Sequence, residues 1–112
     1  MNCLVGVSGL GDWWDYIIIQ VKSSENAAYL AWCLACEQYE SYIGTNGIRD
    51  VYTIMDEENC NEEEATETFQ NEREMWIDYW ISFDIENKIR ELLDEGRIDS
   101  ITEINNYEKL QL

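Results

Sequence analysis

Acidic and aromatic side chains are both abundant in this chain, and together they restrict what it can fold into. It carries 24 Asp and Glu residues against 7 Lys and Arg, for a formal net charge of −17 in 112 residues. Segments with such a charge usually stay disordered because they lack the apolar surface needed for a core. Here, however, 46% of the residues are hydrophobic, including 5 Trp and 7 Tyr. We therefore expect a compact fold that tolerates strong self-repulsion.

The length of the chain predicts one domain, residues 1–112, with a single core. Its negative charge argues against direct binding of nucleic acid or of an anionic membrane, because both would repel it. No run of residues approaches the roughly 20 apolar positions that span a bilayer. Residues 1–11 lack the basic and apolar pattern of a signal peptide. We expect the protein to lie in the cytoplasm.

Local patterns predict an α+β fold in the order β-β-α-β-α-α-β. The expected architecture is a mostly antiparallel sheet of three to four strands with two to three helices packed on it. β-Branched runs at 3–7 and 16–21 predict a hairpin, and small residues between Ser23 and Gly44 predict a buried helix. The remaining predictions are a strand at 48–55, a helix from Asn61 to about Phe83, a helix from Asp84 to Gly96, and a last strand within 97–112.

The densest acidity lies between Asp50 and Asp78, with 11 acids and one base, Arg73. On a continuous helix, one stripe would hold the expected core residues Ala65, Phe69, Trp76, Trp80 and Phe83. The opposite stripe would hold the carboxylates Glu63, Glu67, Glu74 and Asp78 along about 22 Å. Ordinary solvated faces mix charges, whereas this one places like charges four residues apart, which is unfavourable. We therefore expect a surface that binds something basic, supplemented by Glu62, Glu64, Asp56, Glu57 and Glu58.

Two adjacent tryptophans flank the first predicted turn. Trp13 and Trp14 cannot both point inward on an extended segment, because successive side chains alternate between faces. Aromatic side chains supply much of the binding energy of protein interfaces. We expect one of the two, together with Asp12 and Asp15, to anchor a partner.

The four cysteines and the absence of histidine bear on catalysis and metals. Cys33 and Cys36 form a C-x-x-C, but they lie inside a predicted buried helix, where free cysteine is common in cores. Zinc sites usually combine two such pairs with a turn, and Cys3 and Cys60 do not supply this. The chain contains no His, the commonest general base. We expect no cofactor, no bound metal and no enzymatic activity.

In size, charge, aromatic content and lack of Pro and His, the chain resembles small acidic counter-defence proteins of phages and mobile elements. These include anti-CRISPR proteins, anti-restriction proteins and uracil-glycosylase inhibitors, many of which mimic DNA. The resemblance implies a non-catalytic inhibitor that occupies the positively charged nucleic-acid site of a host defence protein. The alternative is an acidic structural or regulatory module, such as a dimeric adaptor, that binds a basic protein. A homodimer is compatible with both hypotheses.

Overall fold

The computed structural model describes the backbone of residues 1–111 and the side chains of residues 1–105. The chain has the predicted α+β fold, with one four-stranded sheet and four helices in this part. Its elements are β1 (Asn2–Ser8), β2 (Trp14–Gln20), α1 (Ser24–Glu40), α2 (Val51–Glu58), α3 (Glu62–Trp76), β3 (Asp78–Ser82), α4 (Ile85–Asp94), a 3₁₀ turn (Ile101–Glu103) and β4 (Ile104–Gln111).

The sheet is mixed, with the strand order β3-β1-β2-β4. β1 pairs antiparallel with β2, where Val5 lies opposite Ile17, and antiparallel with β3, where Val5 lies opposite Ile81. β2 pairs parallel with β4, beginning at Tyr16 and Ile104. The predicted first hairpin and the predicted last strand are therefore both confirmed. β3 and β4 form the edges of the sheet.

Helix α1 covers one face of the sheet through its small residues. It begins after Ser23, whose side chain accepts a hydrogen bond from the backbone of Asn26 at 3.2 Å, the usual N-cap contact. Ala27, Ala31 and Ala35 are fully buried against β1 and its neighbours. Because alanine projects only a methyl group, the helix axis can approach the strands closely, as the sequence predicted.

Helix α4 packs on the opposite face of the sheet. Leu92 and Ile98 are buried there with Leu4 and Tyr16, while Trp80 packs beside them. Alternation along β1 explains this second core, because Leu4 points away from Cys3 and Val5. The N-cap predicted at Asp84 is confirmed by its side-chain bond to the backbone of Asn87 at 3.3 Å.

The strand predicted at 48–55 is wrong, because Val51–Glu58 forms helix α2. Asp50 is the N-cap of this helix, and its carboxylate accepts a hydrogen bond from the backbone of Thr53 at 2.7 Å. Val51, Ile54 and Met55 have the i, i+3, i+4 spacing of a helix and contact a core built around Tyr39. The eight-residue segment is short enough to fit the hydrophobic pattern of either a strand or a helix. The N-cap contact of Asp50 favours the helix.

The long helix predicted to reach Phe83 is also wrong after Trp76. Helix α3 begins at the predicted N-cap Asn61, but it ends at Trp76, and Asp78–Ser82 pairs with β1 as an edge strand. Trp76 is consequently 45% exposed and Phe83 46% exposed, so neither belongs to the core. Trp80 is half-buried against α4, not against α3. Ala65 and Phe69 remain buried as predicted.

Among the described residues, no helix is both long and apolar enough to cross a membrane.

Candidate protein-binding surface

Helix α3 presents three carboxylates on the side opposite its buried residues. Glu63, Glu67 and Glu74 are exposed, whereas Ala65 and Phe69 are buried against the rest of the protein. We call Glu63, Glu67 and Glu74 the acidic face. At 1.5 Å per residue these positions span about 16 Å along the helix. Within the described residues, none of the three forms an ion pair.

Asp78 does not belong to the acidic face, in contrast to the prediction. It is the first residue of β3, because the chain becomes extended at Ile77 (φ −79°, ψ 149°). Its Oδ1 accepts a hydrogen bond from the backbone nitrogen of Tyr79 at 2.8 Å. The predicted stripe of four carboxylates is thus a shorter stripe of three.

The start of α3 is held by a capping box. Asn61 accepts a hydrogen bond from the backbone of Glu64 at 2.8 Å, and the Glu64 carboxylate accepts one from the backbone of Asn61 at 3.3 Å. Glu62, Glu63 and Glu64 occupy the first turn, where the helix dipole stabilises negative charge. All three are exposed, so this capped end of α3 is strongly negative.

The acids of α2 are only partly available to a partner. Asp56, Glu57 and Glu58 lie on a helix, not in the predicted loop. The Arg49 guanidinium contacts Glu57 at 3.2 Å and Glu58 at 2.8 Å, and it also bonds Glu72 of α3.

The hydrogen bonds from Arg49 to Glu72, Glu58 and Glu57 raise the pKa of its guanidinium above the usual value. The bond to Glu72 contributes most to this increase. Asp56 is exposed and has no ion pair among the described residues. Of the three α2 acids, Asp56 is therefore the one whose charge stays uncompensated by Arg49.

Helix α3 contacts α1 through side chains that no sequence pattern had connected. Trp32 of α1 donates its indole N–H to Glu74 Oε1 at 3.2 Å. The guanidinium carbon of Arg73 lies 5.2 Å from the centre of the Trp32 ring and 5.9 Å from that of Phe69, both within cation–π range. Glu40 pairs with Arg73 at 3.7 Å.

The two adjacent tryptophans point in different directions, as predicted. Trp14 is partly buried in the core beneath α4. Trp13 is 58% exposed, and its ring meets Tyr42 edge-on with a centroid distance of 5.6 Å. Trp13 is therefore the tryptophan that a partner can reach. Asp12 and Asp15 beside it are also exposed.

The four cysteines are free thiols. Burial raises the pKa of the Cys36 thiol to about 11 and also raises that of Cys3. Across residues 1–105, no group of three or more Cys, Asp or Glu residues is arranged to hold a metal ion. Cys3 is buried in the apolar core between the sheet and α1, whereas Cys36 is buried close enough to Arg73, Glu74 and Glu40 to feel their charges.

Comparisons with protein-family models, with curated proteins and with solved structures found no match. What this protein binds is therefore inferred from its own charge, burial and geometry.

Proposed function

We propose that this protein is a non-catalytic inhibitor that occupies the positively charged nucleic-acid-binding surface of a partner protein. The observation that carries the proposal is the acidic face, whose carboxylates are exposed on a capped helix and form no ion pair in the described part of the chain. Glu74 accepts a hydrogen bond from Trp32 through one oxygen, so Glu63 and Glu67 are the more available of the three. Anti-CRISPR or anti-restriction activity in the cytoplasm of a phage-infected cell is the biological form that we favour. The mechanism is DNA mimicry, without turnover of a substrate.

The distribution of positive charge supports this proposal. Between residues 49 and 78 the cations are Arg49 and Arg73, whose side chains are only 23% and 12% exposed. Both are occupied by carboxylates or aromatic rings of the protein itself. The outward charge of α2 and α3 is consequently negative, and it would steer a basic partner toward this side.

The spacing of the acidic face also fits a nucleic-acid strand. Relative to Glu63, residues Glu67 and Glu74 lie at about 6 and 16 Å along the axis of α3. Phosphates of one DNA strand rise by ~3.4 Å each, so the second and fifth phosphates beyond a first one lie at about 7 and 17 Å. A row of cationic side chains that holds the first, third and sixth phosphates of a strand could therefore accept these carboxylates in similar places. Glu62, Glu64 and Asp56 add charge around that row.

The test is capture of partners from a host lysate on the immobilised protein, with and without competing duplex DNA. We expect DNA to displace the captured protein, because both would use one basic surface. The double variant Glu63→Lys/Glu67→Lys should lower capture at least tenfold. A matched control, Asp94→Lys/Asp99→Lys, changes the net charge equally at exposed positions outside the acidic face and should keep nearly full binding.

Three results would contradict the proposal. Equal capture by both double variants would mean that the acidic face is merely solvated. Recovery of the partner together with its nucleic acid would favour the adaptor, since the partner's nucleic-acid site would then be free. Turnover of a substrate by the purified protein would favour an enzyme.

A further inference from the structure

A cleft opens between α1 and β2, and none of its lining residues belongs to the acidic face. It has a volume of about 320 Å³ and is lined by Val7, Asp15, Ile17, Leu34, Glu37, Gln38 and Ser41. The cleft exists because α1 packs mainly on β1 and β3, so that part of β2 on the same side of the sheet stays uncovered. Its volume is at the lower end of the ~300–1,000 Å³ typical of ligand sites, which suits a single side chain.

The base and the rim of this α1–β2 cleft differ in chemistry. Val7, Ile17 and Leu34 supply an apolar base, and each of them is at most 8% exposed. Asp15 and Glu37 supply two carboxylates at the rim. No Lys or Arg is among the lining residues, so the cleft offers negative charge without a cation of its own.

A hydrogen-bond chain holds one of these carboxylates in place. The Gln38 side-chain amide donates to Asp15 Oδ2, and its carbonyl oxygen accepts from the backbone nitrogen of Gly9. A Cβ on Gly9 would lie 2.5 Å from the backbone nitrogen of Tyr39, so only glycine permits this approach of the β1–β2 turn to α1. Asp15 is thereby positioned before any ligand arrives, which lowers the entropic cost of binding.

Apart from the second amide N–H of Gln38, the remaining side-chain hydrogen-bonding capacity of the cleft consists of acceptors. Asp15 Oδ1 and both oxygens of Glu37 have no donor among the described residues. The Ser41 hydroxyl donates to the backbone carbonyl of Gln38 at 2.6 Å, which leaves the hydroxyl oxygen as a further acceptor. A ligand that fits must therefore bring donors and positive charge, together with an apolar part for Val7, Ile17 and Leu34.

We propose that the α1–β2 cleft binds an arginine side chain of a partner protein. The methylene stem would lie on the apolar base, and the guanidinium would donate to Asp15 and Glu37. Arginine fits better than lysine because its planar head has five donors and is less strongly hydrated.

The probe for this proposal is N-acetyl-arginine methylamide, titrated into the ¹⁵N-labelled full-length protein at physiological ionic strength. We expect saturable changes in the amide shifts of Ile17, Leu34, Glu37 and Gln38. The citrulline analogue has nearly the same shape without the charge and should bind at least fivefold more weakly. The lysine analogue should be intermediate.

Two double variants of equal charge separate this site from the acidic face. Asp15→Asn/Glu37→Gln should weaken arginine binding at least fivefold, and the amide introduced at position 15 keeps an oxygen that can accept the hydrogen bond from Gln38. Glu63→Gln/Glu67→Gln should leave arginine binding within twofold. Equal weakening in both variants, equal binding of the citrulline analogue, or the absence of saturable shifts would each overturn the proposal. Lysate capture tests the proposed function separately. Loss of capture in the Glu63/Glu67 variants alone would support that function without bearing on the arginine site.

Discussion

Gly6 lies in the middle of β1, where its missing side chain leaves room for the ring of Trp80, and we predict that Gly6→Ala destabilises the fold. A Cβ at this position would lie 2.3, 2.5 and 2.6 Å from Cε2, Cζ2 and Nε1 of Trp80. Ordinary contact begins near 3.4 Å, so the ring would have to retreat by about 1 Å. It is held by Tyr16, with ring centres 5.9 Å apart, and by the Lys88 ammonium 4.5 Å from its centre.

Two opposing effects set the size of this loss. Overpacking of a fitted contact costs about 1–3 kcal/mol. Alanine also has less conformational freedom than glycine in the unfolded chain. This effect raises the free energy of unfolding by about 0.5–1 kcal/mol and offsets part of the loss. The net decrease in the free energy of unfolding should therefore be about 1–2 kcal/mol. When Trp80 is already alanine the clash is gone, and Gly6→Ala should be neutral or slightly stabilising.

The assay is urea unfolding of four proteins: wild type, Gly6→Ala, Trp80→Ala and the double variant. The free energy of unfolding follows from each midpoint and slope, provided that the slopes agree. The double-mutant cycle should give a coupling of about 1–3 kcal/mol between the two positions. If Gly6→Ala lowers the stability equally in both backgrounds, the Trp80 ring is not the cause and the reasoning fails.

Three further predictions concern the core, the charge and the thiols. Phe69→Ala should lower the free energy of unfolding by about 3–5 kcal/mol because Phe69 is buried. Trp76→Ala should lower it clearly less because Trp76 is 45% exposed, and urea unfolding of the two variants would compare them. Added salt should raise the melting temperature at neutral pH, since screening relieves self-repulsion at a net charge of −17, and a flat or falling trend would contradict this. Iodoacetamide should modify half-buried Cys60 in the native protein before buried Cys3 and Cys36, because burial raises the pKa of both buried thiols. Mass spectrometry of peptides taken over time would show the order of modification.

Helix starts were predictable because capping is local chemistry. Ser23, Asn61 and Asp84 each bond the backbone three residues ahead, and all three were identified from residue type and position. The α+β class and the first hairpin were equally accessible, since β-branched runs and turn residues act over a few positions. Asp50 was missed as a cap only because the eight residues after it are short enough to fit either a strand or a helix.

The break between α3 and β3 depended on a distant partner. Residues 61–83 contain neither Gly nor Pro, so nothing local separates a helix from a strand there. Tyr79, Trp80 and Ile81 favour strands, but they become one only because β1 offers a free edge that lies more than 70 positions earlier. That pairing moved Asp78 off the acidic face.

The amount of negative charge in this protein is determined by its sequence, and so is the abundance of aromatic residues that lets a chain of net charge −17 fold. Which carboxylates remain available to a partner is decided by tertiary structure. Arg49 joins Glu57, Glu58 and Glu72 although they lie 8, 9 and 23 residues away, whereas Glu63 and Glu67 face solvent. The physical reason is range: residue type fixes a charge, but ion pairing falls off with spatial distance, which only the folded chain defines.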